Sequence, residues 1–527
     1  MLSLYHTTVM FSLRDILFLC FCILTHYICR YRRRPAHPYP PGPFRWPIIG
    51  NALSIPLTYM HVFYKNLGDR LGTKILYMEA LGQPIIVLND IHVAKELLEK
   101  RSGLYSSRPQ VPILSELVEA KFFFALMAYG DEWRHHRRVF QQYFSSKNQY
   151  RVEERAMEFV RKGLLPCLYQ TPQKVHEHVR SCVGGFSTSI TYGLPTRRYK
   201  DPLVLYAEDV FTKTAAASAP GTYLVNIIPA LKYIPDWMPG ASFKRVARKL
   251  HDEVYRLMEE PYQMTQKRMN EGTLSDCFVS GSLERIRHRA DFELRAQCIK
   301  QAATQIYSAA SETTVAATMT FILAMLIYPD VQRKAQQELD AIVGSDRLPD
   351  FSDKPNLPYL SAIIKEVLRW NPTAPIGFPH LTTEEDIYEG YYIPKGCSVL
   401  PNIYAMLHDE KTFPNPMEFK PERFIKNGVI SNDVPDPENV AAFGFGRRIC
   451  PGSQVALSMI YIAAASVLAI FDISPVLDEK GNPVEVVPEF IAASIVSEPL
   501  PFQCKITPRQ GKDGESLLQE YLRTEVI

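Results

Sequence analysis

The sequence has no C-x-x-C pair and no regular cysteine spacing, although it holds ten cysteines. That scatter excludes a disulfide framework and points to a reducing compartment. No Gly/Ser-rich linker, low-complexity tract or internal repeat interrupts the 527 residues, so neither a tethered array nor a solenoid fits. Excess charge is scarce as well. A net charge of +3 offers no electrostatic footprint for nucleic acid. Neither G-x-x-x-x-G-K-[ST] nor G-x-G-x-x-G occurs, which removes the phosphate-cradling and dinucleotide-binding fingerprints. No flavin domain is appended, so any redox chemistry must draw its electrons from another protein.

What is present is a large core. The chain is 46% hydrophobic and 22% charged, as a globular protein requires. Residues 75–77 and 84–88 read as short strands with Gly82 between them. From about residue 92 to 370 helical periodicity dominates. The longest predicted helix spans 291–328 and stops before Pro329. Strand signals return at 386–388 and 398–400, then a helix runs to about residue 471, then a strand-rich tail follows. The expected class is mainly α with small β-sheets.

Residues 16–29 are apolar and uncharged, a run of about 14 where a span usually takes about 20. Extension back to Val9 includes Arg14 and Asp15, which can snorkel or pair at an interface. Arg30, Arg32, Arg33 and Arg34 follow, which by the positive-inside rule keeps the rest of the chain cytosolic. A cleaved signal peptide lacks support, because no small-x-small site is present and the basic cluster is on the wrong flank. The reading is a single-pass anchor over 1–34, a proline-rich hinge over 35–51, and one catalytic domain over 52–527.

The most informative stretch is Phe443-Gly444-Phe445-Gly446-Arg447-Arg448-Ile449-Cys450-Pro451-Gly452. An isolated cysteine is more often a buried structural residue. Here Phe443, Gly446, Arg448, Cys450 and Gly452 match F-x-x-G-x-R-x-C-x-G at fixed spacing. A thiolate is an electron-rich ligand that pushes density through haem iron and favours O–O cleavage. Gly446 and Gly452 are expected to supply unusual dihedrals and close backbone approach. Backbone N–H groups and the following helix N-terminus are expected to favour the thiolate. The stretch resembles the haem-binding loop of the cytochrome P-450 superfamily, and the resemblance covers residues from about 40 to 509.

That resemblance implies the cytochrome P-450 fold, a haem-thiolate centre with haem b (iron protoporphyrin IX), and a set of further residues. Cys450 would be the axial ligand. Glu366-Val367-Leu368-Arg369 and Phe419-Lys420-Pro421-Glu422-Arg423-Phe424 match two more family motifs. They imply a buried Glu366–Arg369–Arg423 charge triad behind the haem loop. Trp133 and Arg137, in W-x-x-x-R spacing on one helix face, would bind one propionate; Arg448 and His380 would bind the other. His135 and His136 read as surface residues. Ala309-Ala310-Ser311-Glu312-Thr313-Thr314 matches [AG]-G-x-[DE]-T-T, except that Ala310 stands where glycine is usual. Glu312 and Thr313 would manage the two protons that O–O cleavage consumes. The substrate pocket would draw on Leu114, Phe122, Phe123, Phe124, Ile306, Tyr307, Ala310, Ala374, Ile376, Phe378, Ile491, Ala492 and Ile495, with Phe211 nearby. Almost all are uncharged, which favours apolar aromatic, polycyclic, terpenoid or steroid-like substrates.

The implied activity is a microsomal monooxygenase in the endoplasmic reticulum membrane. NADPH–cytochrome P-450 reductase would supply electrons, with cytochrome b5 as a second donor, docking near Arg134, Arg138 and Arg447. Tyr105-Ser106-Ser107-Arg108-Pro109 and Pro379-His380 resemble a fungal, O-methylsterigmatocystin oxidoreductase-like group of secondary metabolism. Two alternatives use the same ligand: an isomerase or dehydratase that does not consume O2, and a haem-binding protein without turnover. The Glu312–Thr313 pair argues for oxygenation.

Overall fold

The computed structural model describes residues 35–219, 221–491, 495–510 and 514–527. The anchor read over 1–34 and the pocket residue Ala492 lie outside them. Strands β1 (Ile75–Ala80) and β2 (Gln83–Leu88) form a hairpin in which Ala80 pairs with Gln83. Leu81 and Gly82 sit at φ of 50° and 81°, the left-handed pair that a two-residue turn matched to strand twist requires. β2 then pairs in parallel with β6 (Ser398–Pro401), and β6 pairs antiparallel with β3 (His380–Leu381). This sheet, ordered β1-β2-β6-β3, joins the two ends of the domain and delivers His380 to its interior edge. β4 (Asp386–Tyr388) and β5 (Tyr391–Ile393) make a separate hairpin.

The helices that matter below are α1 (Met60–Leu71), α2 (Asp131–Tyr143), α3 (Val175–Tyr192), α4 (Pro202–Ser218), α5 (Ser242–Asn270), α6 (Phe292–Ile327), α7 (Pro358–Trp370) and α8 (Ser453–Ile470). α4 starts where the Asp201 carboxylate accepts from the Leu203 and Val204 N–H groups and Pro202 takes the first helical position. α6 is 36 residues long and gives way to the next helix at Pro329. It lies against α2, α3, α4, α5, α7 and α8; residues 314–326 are buried on every side, while its first turns carry Glu293 and Gln297 exposed and Arg295 and Lys300 half-buried. α8 is buried along almost its whole length. By length and composition α6 and α8 could cross a membrane, but both are mostly buried inside the protein.

The strand-rich tail expected after residue 471 is not observed. After the hairpin of β7 (Ile425–Lys426) and β8 (Val429–Ile430), only β9 (Phe471–Ser474) and β10 (Lys505–Pro508) pair among the described residues, and a short helix, Gly514–Leu518, follows. Pro475, Pro483, Pro488, Pro499 and Pro501 remove ladder donors from the intervening chain, which makes only isolated bridges.

Candidate active site

The cysteine loop leads into α8. Gly444 and Gly446 take φ of 80° and 54°. A Cβ on Gly446 would lie 2.2 Å from the Leu98 carbonyl oxygen, so only glycine fits. Gly452 differs from expectation. Its φ is −89°, open to any residue, and a Cβ there would meet only ordinary contacts, 3.9 Å from the Cys450 sulfur and 4.0 Å from the Phe140 ring. The Cys450 N–H donates to the Phe443 carbonyl at 2.8 Å, which closes the loop. Cys450 lies deep among protein atoms and is nevertheless uncovered, at the floor of an internal opening. Burial pushes its thiol above the usual range; the Gly452 N–H and Arg137 pull the other way without cancelling it. The loop's own groups thus act toward the anion, as expected, while burial opposes them. A metal ion bound at the sulfur would complete the displacement of that proton.

Beside the loop are two buried arginines, Arg108 and Arg448, and a half-buried one, Arg137, without acids. Arg108 donates to the Phe378 and Pro379 carbonyls at 2.7 and 2.8 Å, and its Nε has no partner. Arg448 donates through Nε to Ser106 (2.7 Å) and through its terminal nitrogens to Met127 (2.6 Å) and Phe124 (3.5 Å), all backbone carbonyls. Arg137 donates to the Ile449 carbonyl at 2.6 Å. Among the described residues none of the three has a carboxylate within ion-pair distance. Burial holds the Arg108 guanidinium well below its usual range, and Arg448 adds to the shift. His380 shares this environment. Burial, then Arg108, keep it neutral, with Nδ1–H donated to the Tyr105 carbonyl at 2.7 Å. Trp133 lies under the Arg448 guanidinium, 4.6 Å from carbon to ring centre, and its indole N–H is buried without an acceptor. Uncompensated buried cations and orphan donors are costly. They fit a guest with two carboxylates over a deep cysteine, which is what haem presents. The structure therefore brings Trp133, Arg137, Arg448, His380 and Cys450 into one region. It adds Arg108, which the sequence offered only as part of a family-like run; that an arginine is buried without an acid cannot be read from spacing.

His136 corrects another expectation. It is buried, with Nδ1 3.0 Å from the Glu132 carbonyl and Nε2 3.2 Å from Gln301 on α6; only His135 is at the surface.

α6 opens at Ala309, Ala310, Glu312 and Thr313, whereas residues 314–326 are wholly buried. The Thr313 hydroxyl donates back to the Ala309 carbonyl at 2.8 Å, the bond that lets a threonine loosen a helix. Glu312 turns toward α3 and accepts from Arg180 at 3.1 Å. Of the other pocket candidates, Phe124, Ala374, Ile376, Phe378 and Ile495 are half-buried, and Ile491 is exposed. Phe124 stacks on Trp133, 5.4 Å between centres. Leu114, Phe122, Phe123 and Ile306 are buried in the apolar cluster beside α5 and α6. Tyr307 does not face the opening. Its hydroxyl donates to the Leu203 carbonyl at 2.9 Å and its ring packs edge-on to Tyr192 and Phe211, so it is core between α3, α4 and α6.

On the other side of the loop, Glu366 takes Arg369 through both oxygens, at 2.7 and 2.9 Å, and Arg423 at 3.1 Å. The Lys420 N–H adds a bond at 2.8 Å. Glu366 and Arg369 have no exposed surface.

A deep cysteine beside a cationic cradle fits a haem-thiolate oxidoreductase. The sequence pattern of the cytochrome P-450 family matches residues 40–506, and the chain belongs to that family. It is similar to cytochrome P-450 monooxygenase ple1 of Rhodocybe pseudopiperita, 41% identical over 93% of this chain and 92% of the relative. It is also similar to cytochrome P-450 monooxygenase COX1 of Coprinopsis cinerea, 38% identical over 92% and 93%. A third relative, tryptamine 4-monooxygenase of Psilocybe cyanescens, is 37% identical over 93% and 96%. The chain is accordingly a monooxygenase of the haem-thiolate type that takes its electrons from a redox partner.

Proposed function

We propose that this monooxygenase inserts one oxygen atom from O2 into an apolar aromatic, polycyclic, terpenoid or steroid-like compound, in fungal secondary metabolism or xenobiotic oxidation. The overall change is RH + O2 + two electrons + two protons to ROH + H2O. What supports the substrate class is the lining read from the sequence: Phe124, Ile376 and Phe378 are half-buried and offer rings and aliphatic surface, and the one carboxylate on the opened stretch of α6, Glu312, is engaged by Arg180. Such a lining selects by shape and by apolar burial, at about 25 cal/mol per Å2. Haem b supplies the oxygen-activating chemistry when bound. Cys450 is its ligand, Trp133, Arg108, Arg137 and Arg448 hold its carboxylates, and the Glu366–Arg369–Arg423 triad keeps the loop aimed. The test is a product screen with membranes that co-express this chain and a reductase. Polycyclic aromatics, steroids and small charged amines or acids are compared. Products and spin-state shifts with the apolar set are expected; tight shifts only with the charged set overturn the reading.

Thr313 and Glu312 deliver protons in this reading. Thr313→Ala is expected to leave substrate binding intact and to send most electrons into peroxide, since one general acid is worth about 10²–10⁴-fold. Unchanged product per NADPH contradicts the role.

The chain is anchored in the endoplasmic reticulum membrane through residues 1–34, and NADPH–cytochrome P-450 reductase and cytochrome b5 dock on the exposed Arg134, Arg138 and Arg447. A second membrane contact is supported by exposed Leu224, Ile228, Trp237 and Met238 together with exposed Leu57; a Cβ built on Gly221 would lie 3.4 Å from the Leu57 side chain. A chain beginning at Pro35 should sediment weakly with vesicles. The full chain should pellet with membranes, and its recovery as soluble monomer refutes the anchor.

A further inference from the structure

Four elements converge on one guanidinium beside the opened stretch of α6. Arg180 and His176 share a face of α3, one turn apart. Glu208 comes from α4, Glu312 from α6, and Glu498 from the segment before β10. Through one nitrogen Arg180 donates to both oxygens of Glu498, at 2.9 and 3.2 Å. Its other terminal nitrogen donates to Glu312 at 3.1 Å and lies 3.9 Å from Glu208. His176 closes on the far side of Glu498 at 2.7 Å. Three carboxylates therefore surround one arginine and one histidine, and the fork of the arginine is divided between two of them.

An arginine keeps its protons, so it cannot relay one. While it bonds Glu312 it occupies an oxygen of that carboxylate, and the arrangement supplies both a pivot and an alternative partner. Glu498 grips one nitrogen with two bonds. The other nitrogen has Glu312 at bonding distance and Glu208 just beyond it.

We propose that Glu208 and Arg180 are positioning residues that act through Glu312: pivoting on Glu498, Arg180 leaves Glu312 for Glu208 as a proton passes from Glu208 to Glu312. The O–H bond of the Glu208 carboxyl breaks and one forms on Glu312. No electron moves, and the charge of the cluster is the same before and after. Because the guanidinium always ends on the newly formed anion, no buried carboxylate is left bare. Burial raises the Glu208 carboxyl above its usual range, ahead of the opposing pull of Arg180, which suits it to hold a proton. Its side chain is 19% exposed, which lets water reload it. The inference rests on the reading that Glu312 supplies protons during oxygenation.

The experiment uses the haem-loaded full chain with reductase and compares Glu208→Gln, Arg180→Lys, Glu312→Gln and Glu208→Gln/Glu312→Gln. Arg180→Lys keeps the charge and loses the fork. Product per NADPH, solvent deuterium isotope effect and substrate affinity are measured, together with the infrared carboxyl stretch of resting protein at neutral pH. Glu208→Gln and Arg180→Lys are each expected to lower product per NADPH about tenfold, a modest share of the range for proton transfer. The isotope effect rises and substrate affinity does not change. The double variant is expected to be no worse than Glu312→Gln alone, because the two residues serve one path. The resting protein should show a protonated-carboxyl band that Glu208→Gln removes. Normal coupling in Glu208→Gln with an unchanged infrared spectrum overturns the inference while Glu312→Gln remains impaired. Normal coupling in Glu312→Gln overturns the underlying reading, and the inference with it.

Discussion

Cys450→Ala is expected to abolish the red-shifted absorbance band that reduced, carbon-monoxide-treated haem-thiolate protein displays. Of the six other cysteines among the described residues, only Cys298, on α6, is half-buried, and burial pushes its thiol up to about 11. Cys167, Cys182, Cys277, Cys397 and Cys504 are all buried in packed surroundings, and burial raises each of their thiols. The variant should still take up some haem, because Trp133, Arg108, Arg137 and Arg448 grip the carboxylate edge and are untouched. Its reduced carbon-monoxide spectrum should then be that of haem without a sulfur ligand, and monooxygenase turnover should vanish. Retention of the red-shifted band would falsify the assignment of Cys450 as ligand.

Glu366→Ala should fail differently, in folding and haem loading. Removing the carboxylate strands Arg369, which has no exposed surface, and the nearly buried Arg423 without an anion. Breaking such a buried pair from one side costs about 3–5 kcal/mol, against a total stability of about 5–15 kcal/mol. The loss falls on a junction: Arg369 also donates to the Leu407 and Glu418 carbonyls, so α7 loses its ties to two distant segments at once. Thermal unfolding should drop by many degrees, and most purified protein should lack haem. A variant with wild-type melting and full haem content would show that the triad is dispensable.

Much of this architecture is legible before any coordinates. The length of α6, the break at Pro329 and the hairpin around Gly82 follow from local rules of periodicity and turn chemistry. The motifs around Glu366, Arg423 and Cys450 mark three segments that the fold brings to one end of α7 and α8. What escapes is anything set by long-range packing. Tyr307 and Ala310 stand three residues apart on one helix, yet the first is sealed between α3 and α4 and the second borders the opening. Sequence spacing cannot say which neighbour will cover which face. His136 is buried for the same reason, since α6 supplies its cover. Glu208, Arg180 and Glu498 carry no motif, and only the convergence of α3, α4 and α6 with the C-terminal segment unites them. The tail was misjudged because its alternation resembles strands, while its prolines deny them a ladder.

The cationic cradle also bears on how the protein comes to exist. A chain that folds without its guest must confine Arg108, Arg137 and Arg448 together with no negative charge among the described residues to oppose them. Haem then acts on the folding equilibrium by mass action: a ligand held only by the native state adds about 4 kcal/mol at a thousandfold excess over its dissociation constant. The amount of this protein in a cell should therefore follow haem supply. Haem-starved cells should clear the chain by proteolysis, and added haem precursor should raise its level without any change in its messenger RNA.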